Sequence, residues 1–218
     1  MIKENNKIND IEYESLSDKV YNRITEAILN NSFQSGERIV INKIAKYFNV
    51  SSSPVREAIV KLEREGFIYS IPRSGKFISS ISNEDLEEIY DIRALLEGFA
   101  IKKISLLDNQ ELIKKLVHTC NQYETGLKKK DIDLCLNNDN LFHETLAEAT
   151  KNKRLIEILK NFHLLSISIA KKENNYWENA PLYLQEHKKI LEFISAADYN
   201  SAEAEVQQHI IKGKGRIL

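Results

Sequence analysis

Chain breakers are scarce here, and that scarcity constrains the fold more than any other feature: three prolines and seven glycines are spread over 218 residues. An all-β fold of this length needs many special turns, and turns draw on Gly and Pro for backbone conformations that other residues resist. A mainly α protein is therefore expected. Apolar residues at Leu16, Val20, Ile24 and Ile28 recur every fourth position and mark one face of a first helix. Gly36 ends the connection after it. Ile41, Ile44, Ala45 and Phe48 mark a second, short helix, and Asn49-Val50-Ser51 reads as a tight turn. Ser51, Ser52 and Ser53 supply an N-cap, and Pro54 falls in the first turn of a third helix, where its missing N–H is harmless. Val55, Ile59 and Leu62 give that helix a buried face, with Gly66 as its C-cap. Phe67 to Ile71 and Lys76 to Ile81 read as two short strands joined by a turn at Arg73-Ser74-Gly75.

Beyond Ser80 the strand signal ends. Ser82 or Asn83 followed by Glu84 and Asp85 is a helix start with acids in its first turn. Helical periodicity then predicts helices over 83–105, 109–128, 132–149, 152–173, 180–197 and 199–212, with Pro181 at a helix start. The expected organisation is a flexible arm over 1–14, a winged helix-turn-helix (three helices plus a β-hairpin wing) over 15–81, and an all-α antiparallel bundle of about six helices over 82–218. No apolar run approaches the ~20 residues that span a bilayer, and residues 1–10 lack an apolar leader segment, so no membrane partner is expected. Cys120 and Cys135 are not a metal-type pair and read as free thiols, consistent with a cytoplasmic protein.

Charge is divided unevenly. Lys19 to Ser80 carries ten Lys/Arg against five Asp/Glu, a balance of +5, whereas Ile81 to Leu218 carries nineteen against twenty-two, a balance of −3. A basic small unit joined to an acidic body points to a polyanion as partner of the first unit. In a helix-turn-helix the second helix must enter the major groove. The start of the third helix offers Ser51, Ser52, Ser53 and Arg56 there. Hydroxyls and a helix N-terminus suit phosphate oxygens, and Arg56 suits a phosphate or a guanine edge. The wing tip offers Arg73, Gly75 and Lys76 to an adjacent minor groove.

The stretches Ser35-Gly36-Glu37-Arg38, Ile44-Ala45, Asn49 to Ile59, Leu62 to Ile68 and Pro72 to Ile78 resemble the GntR family of bacterial regulators in order and over nearly all of 16–80. The resemblance implies a homodimer that binds palindromic double-stranded operator DNA, and a regulator rather than an enzyme. It departs from the family at Ser52-Ser53, where an Arg-Thr pair is usual. That implies a different operator or weaker binding, with Arg56 and the wing retained.

In the second half, Asp139 and His143 stand four apart on one helix face, and His187 and His209 lie on two later helices. Antiparallel helices can bring four such side chains to one point in a bundle core, and three imidazoles with a carboxylate suit a divalent ion such as Zn, Ni or Mn. A metal-dependent enzyme using this cluster, and a metal-free sensor whose histidines bond a ligand directly, are the rival readings. Residues 83–210 resemble the FCD ligand-binding domain of the FadR subgroup through Ile89 to Glu97, Asp139 to His143, Glu186 to Leu191 and Ala202 to His209. The resemblance implies the subgroup's metal-binding branch, with Asp139, His143, His187 and His209 as ligands and zinc as the foremost metal. It also implies a small carboxylate or sugar-acid effector completing the metal's coordination, which disfavours acyl-CoA. Arg93 matches a pocket-facing position suited to pair with a carboxylate, and an ion pair with Glu97 on the same face is the alternative. His118 and His163 match no role and read as ordinary bundle residues. Tyr176 and Trp177 read as packing, and Lys128-Lys129-Lys130 as a solvated helix end.

Overall fold

A computed structural model of the chain describes residues 15–30, 32–80, 82–106, 109–170 and 175–217. The arm expected over 1–14, Ile81 and the end of the helix expected over 152–173 lie outside the described residues. The chain divides into two compact units, Met1–Ser80 and Ile81–Leu218.

In the first unit, α1 spans Leu16–Leu29 and is capped by the Ser15 hydroxyl, which accepts a hydrogen bond from the Asp18 N–H at 3.0 Å. Val20, Ile24 and Ile28 are buried as their spacing requires, while Leu16 in the first turn is exposed. A two-residue strand, β1 (Arg38–Ile39), leads into α2 (Ile41–Phe48). Asn49 closes α2 in the left-handed region at φ 54°, a conformation in which Asn is enriched. That turn delivers the chain to α3 (Ser52–Arg64), whose Val55, Ala58, Ile59 and Leu62 are buried. The strands β2 (Ile68–Ile71) and β3 (Gly75–Ile78) form the expected hairpin, with Tyr69 opposite Phe77 and Ser70 opposite Lys76. β1 pairs with the other side of β3, so the sheet has the antiparallel order β1-β3-β2, one strand more than the sequence announces.

The second unit is helical throughout its described elements: α4 (Asn83–Ile104), α5 (Gln110–Lys129), α6 (Ile132–Ala149), α7 (Lys153–Ala170), α8 (Tyr176–Ser195) and α9 (Tyr199–Ile217). Ser82 and Asp85 make a reciprocal capping box at the start of α4. α5 packs on α6, and α9 packs on α4 and α8. The core runs through Ile101, Leu116, Tyr123, Phe142, Ile190 and Val206. Two helix ends differ from expectation. α9 runs to Ile217, and α8 begins at Tyr176, which puts Pro181 inside the helix. Buried Tyr176 and Ala180 anchor that extra turn. At the sixth position of the helix, proline removes the hydrogen bond to the Trp177 carbonyl, with little more than one turn preceding it. Among the described residues, no helix is long and apolar enough to cross a membrane.

Candidate metal centre and nucleic-acid face

On the first unit, Ser51, Ser53, Arg56 and Arg73 are exposed, and Ser52, Gly75 and Lys76 are half-buried. Ser51 occupies the N-cap of α3 without a side-chain capping bond. Ser52 donates to Asn42 Oδ1 at 3.1 Å and so ties α3 to α2, while Ser53 donates to Glu57 at 3.2 Å. Lys76 is ion-paired with Glu63 and donates to Ser70 Oγ at 2.9 Å. These bonds tie the wing to α3 and neutralise part of the wing's charge. Gly75 has φ +122°, and a Cβ there would meet Arg38 Nε at 3.0 Å. The positive φ thus favours glycine at the wing tip, where a side chain would also press on the Arg38 guanidinium.

In the second unit, α6, α8 and α9 bring three imidazoles to one point. The Nε2 atoms of His143, His187 and His209 stand 3.2 Å apart in every pair. Asp139, one turn before His143, places Oδ1 3.6 Å from His187 Nε2. One ligand-type atom from each of the four residues lies within 4.8 Å of the others. The histidines are buried, and Phe142 stacks on the His187 ring with centroids 4.2 Å apart.

Two carboxylates fix the imidazole orientation. His143 Nδ1 is hydrogen-bonded to Glu97 Oε2 on α4, and His209 Nδ1 to Glu186 Oε2 at 2.8 Å. Arg216 grips Glu186 with both guanidinium ends, at 3.0 and 2.6 Å. Burial opposes ionisation of Glu186, yet bonds from His209 and Arg216 bring its carboxyl down to about 2. Burial likewise opposes ionisation of Glu97, but facing His143 and Arg93 holds it well below the ordinary carboxylate range. An ionised carboxylate only accepts hydrogen bonds, so each Nδ1 donates, and in the neutral ring Nε2 then presents a lone pair. Burial pushes His143 down to about 4 and His187 well down, which keeps both imidazoles neutral at neutral pH.

The Nε2 atoms of His143 and His209 face one another at 3.2 Å, and in neutral rings two lone pairs would meet there, an arrangement that a cation between them would relieve. A tetrahedral centre with bonds of about 2.0–2.1 Å holds its ligand atoms about 3.3 Å apart, so the donor set fits a zinc-sized ion.

A cavity of about 50 Å³ adjoins the cluster, lined by Arg93, Asp139, Asn140, His163, Ser166 and His209 together with Tyr90, Tyr123, Tyr176 and Tyr183. Arg93 lines this cavity and donates through Nε to Glu97 at 2.7 Å, with a further bond to Ser166 at 3.1 Å. Tyr176 is buried with its hydroxyl 3.3 Å from that of Tyr123, while Trp177 is exposed. His118 is exposed, away from these residues. His163, read from sequence as an ordinary bundle residue, lies at the cavity wall with Nε2 3.1 Å from Glu97 Oε1. Glu97 is the functional residue that sequence reasoning underrated: it joins Arg93, His143 and His163. Its spacing from Arg93 was visible, but its contacts across helices were not.

A winged helix followed by an all-helical unit defines a class of two-unit, DNA-binding transcription regulators. Residues 16–78 match "Bacterial regulatory proteins, gntR family", and residues 88–212 match "FCD domain". The chain belongs to the GntR family, and its FCD domain fits the FadR subgroup. It is 32% identical over 194 residues to an uncharacterised HTH-type transcriptional regulator, YdhC of Bacillus subtilis (strain 168), covering 87% of this chain and 85% of that one. It is 31% identical over 178 residues to the gluconate operon transcriptional repressor of the same organism, covering 78% and 72%. The fold matches that of E. coli McbR/YncC at a TM-score of 0.78 and 18% identity, over 91% of this chain and 94% of the other. The matched family and relatives are regulators and not enzymes.

Proposed function

We propose that this chain is a metabolite-responsive repressor whose operator affinity is set by an acid bound at a divalent metal in the FCD domain. The observation that carries this reading is the triangle of Nε2 atoms, each 3.2 Å from the next, with His143 and His209 oriented by buried carboxylates. His143, His187 and His209 would hold the ion, with Asp139 at its side. Such an ion supplies a positive centre that a carboxylate can complete. Arg93, fixed by Glu97 at 2.7 Å, offers a second charge to the same small carboxylate or sugar acid. The gluconate-operon relative supports a sugar acid as one candidate effector.

On the DNA side, a cytoplasmic homodimer presents two α3 helices to operator half-sites about one helical turn apart. Exposed Ser51, Ser53, Arg56 and Arg73 make the contacts, and half-buried Ser52 serves the α2–α3 turn. A difference of about 1–3 kcal/mol in effector affinity between two arrangements of the dimer changes operator affinity by one to two powers of ten.

Two measurements test the reading. Metal analysis of tag-free protein should give close to one divalent ion per chain, and His143→Ala should abolish it. Equal metal content in the two proteins overturns the metal assignment and leaves a metal-free sensor. Gel shifts with DNA flanking the gene should show a complex at low salt that candidate acids dissociate. Absence of any complex overturns the regulator reading.

A further inference from the structure

Among the described residues, two buried side-chain atoms have no hydrogen-bond partner, Asn140 Oδ1 and His163 Nδ1, and both residues line the cavity beside the histidine triangle. We infer that His163 and Asn140 are specificity-determining residues that accept hydrogen bonds from hydroxyl groups of the effector, which selects short hydroxy acids over plain carboxylic acids. The inference rests on the metal-and-acid reading of the same site and deepens it.

The chemistry follows from Glu97. Its Oε1 accepts a hydrogen bond from Arg93 Nε at 2.7 Å, and His163 Nε2, 3.1 Å from the same oxygen, donates to it as well. In the neutral ring, hydrogen on Nε2 leaves Nδ1 as a lone pair. The ring is 2% exposed, so that lone pair has little access to bulk solvent. Asn140 Oδ1 is likewise an acceptor. The Ser166 hydroxyl is no donor for them, because it donates to the Phe162 carbonyl at 2.9 Å.

A second grouping of metal-ligand types, Glu97, His143 and His163, does not compete with this assignment. Arg93 Nε sits 2.7 Å from the carboxylate oxygen that a cation would need. The cavity wall thus supplies a guanidinium for a carboxylate and two acceptors that only a donor can satisfy. An unmet buried acceptor is unfavourable, so an acid bringing hydroxyls gains over its deoxy counterpart. The cavity is small, about 50 Å³, which suits a short acid.

The experiment compares zinc-loaded protein binding to glycolate and lactate against acetate and propionate by calorimetry, in the parent, His163→Leu, His163→Gln and Asn140→Leu. A hydroxyl can also reach the metal, so preference in the parent alone decides nothing; its dependence on His163 and Asn140 does. The parent should prefer the hydroxy acid on the order of tenfold. His163→Leu and Asn140→Leu should each reduce that preference severalfold, read as the ratio of hydroxy-acid to plain-acid affinity within each variant at equal zinc loading. His163→Gln keeps a donor toward Glu97 and an acceptor toward the cavity, and should restore part of it. Asn140→Leu keeps the test decisive where His163→Leu fails to fold. Acids that bind with an unchanged hydroxyl preference in both leucine variants overturn the assignment and leave the metal reading standing. Protein that takes up zinc but binds no acid, or takes up no zinc, overturns both.

Discussion

Glu97→Gln is a near-isosteric change whose consequences can be worked through atom by atom. Glu97 is 1% exposed and receives Arg93 Nε at 2.7 Å and His163 Nε2 at 3.1 Å on Oε1, while Oε2 bonds His143 Nδ1. A glutamine has one oxygen. Two donors on the Oε1 side claim it, so the amide NH₂ must turn toward His143 Nδ1. Donor then faces donor, and His143 relieves the clash by moving its proton to Nε2, the atom that points into the histidine triangle. A metal must displace that proton to bind. Loss of one outer carboxylate partner typically lowers metal affinity about 10–100-fold, and the tautomer change places this variant near the upper end, about 2.7 kcal/mol. Separately, Arg93 loses its buried counter-charge, which should lower the stability of the metal-free protein by about 3–5 kcal/mol. The assay is zinc competition against a chromophoric chelator, paired with urea unfolding in EDTA. The double variant Arg93→Met/Glu97→Gln removes the unpaired charge and should recover stability without recovering zinc affinity. A folded Glu97→Gln protein that binds zinc within twofold of the parent would refute the argument that Glu97 sets the His143 tautomer.

Three further outcomes follow from the geometry. Arg56 is exposed in the first turns of α3, so Arg56→Ala should weaken operator binding and, if its contact is to phosphate, reduce the slope of log affinity against log salt by about 1 in anisotropy titrations; an unchanged affinity removes Arg56 from the interface. Gly75 sits at φ +122° with Arg38 Nε 3.0 Å from where a Cβ would stand, so Gly75→Ala should destabilise the wing by about 1–3 kcal/mol and lower DNA affinity without touching metal content; an unaltered unfolding midpoint contradicts this. Tyr21 donates to Glu65 at 2.7 Å, and burial, reinforced by Glu65, raises its phenol. The unfolded phenol ionises near pH 10 while the folded one stays protonated, so its contribution is complete below about pH 10 and declines as pH rises through the folded value. Tyr21→Phe should cost about 1–1.5 kcal/mol at pH 7 and flatten that alkaline decline, as followed by urea titrations across pH.

Local features of the fold were legible because they are written in neighbouring residues. The helix-helix-turn-helix order, the hairpin and the Ser82 start of α4 each rest on spacings of three to seven positions. β1 was not legible, since two residues cannot show alternation and Arg38–Ile39 become a strand only by pairing with β3. The early start of α8 was hidden by Pro181, a residue that ordinarily marks a helix end or its first turn. Burial of Tyr176 and Ala180 overrides that local signal.

The candidate site divides along the same line, and the division has a consequence. Asp139 and His143 announce themselves four apart, and His187 and His209 follow in order, so the identity of the four side chains can be read from sequence. Whether those side chains are ready to bind an ion depends on Glu97, 46 residues before His143, and on Glu186, 23 before His209. These carboxylates decide which ring nitrogen carries the proton, and no periodicity points to them. A related chain can therefore keep all four ligand-type residues and still present N–H groups, not lone pairs, to the centre of its triangle. The physical expectation is that metal content among such chains tracks the pair of buried acids on α4 and α8 as closely as it tracks the histidines. Metal analysis of relatives that retain the Asp and three His but lack a carboxylate at either position checks this directly: a full complement of metal in those proteins would show that imidazole orientation is set by other contacts.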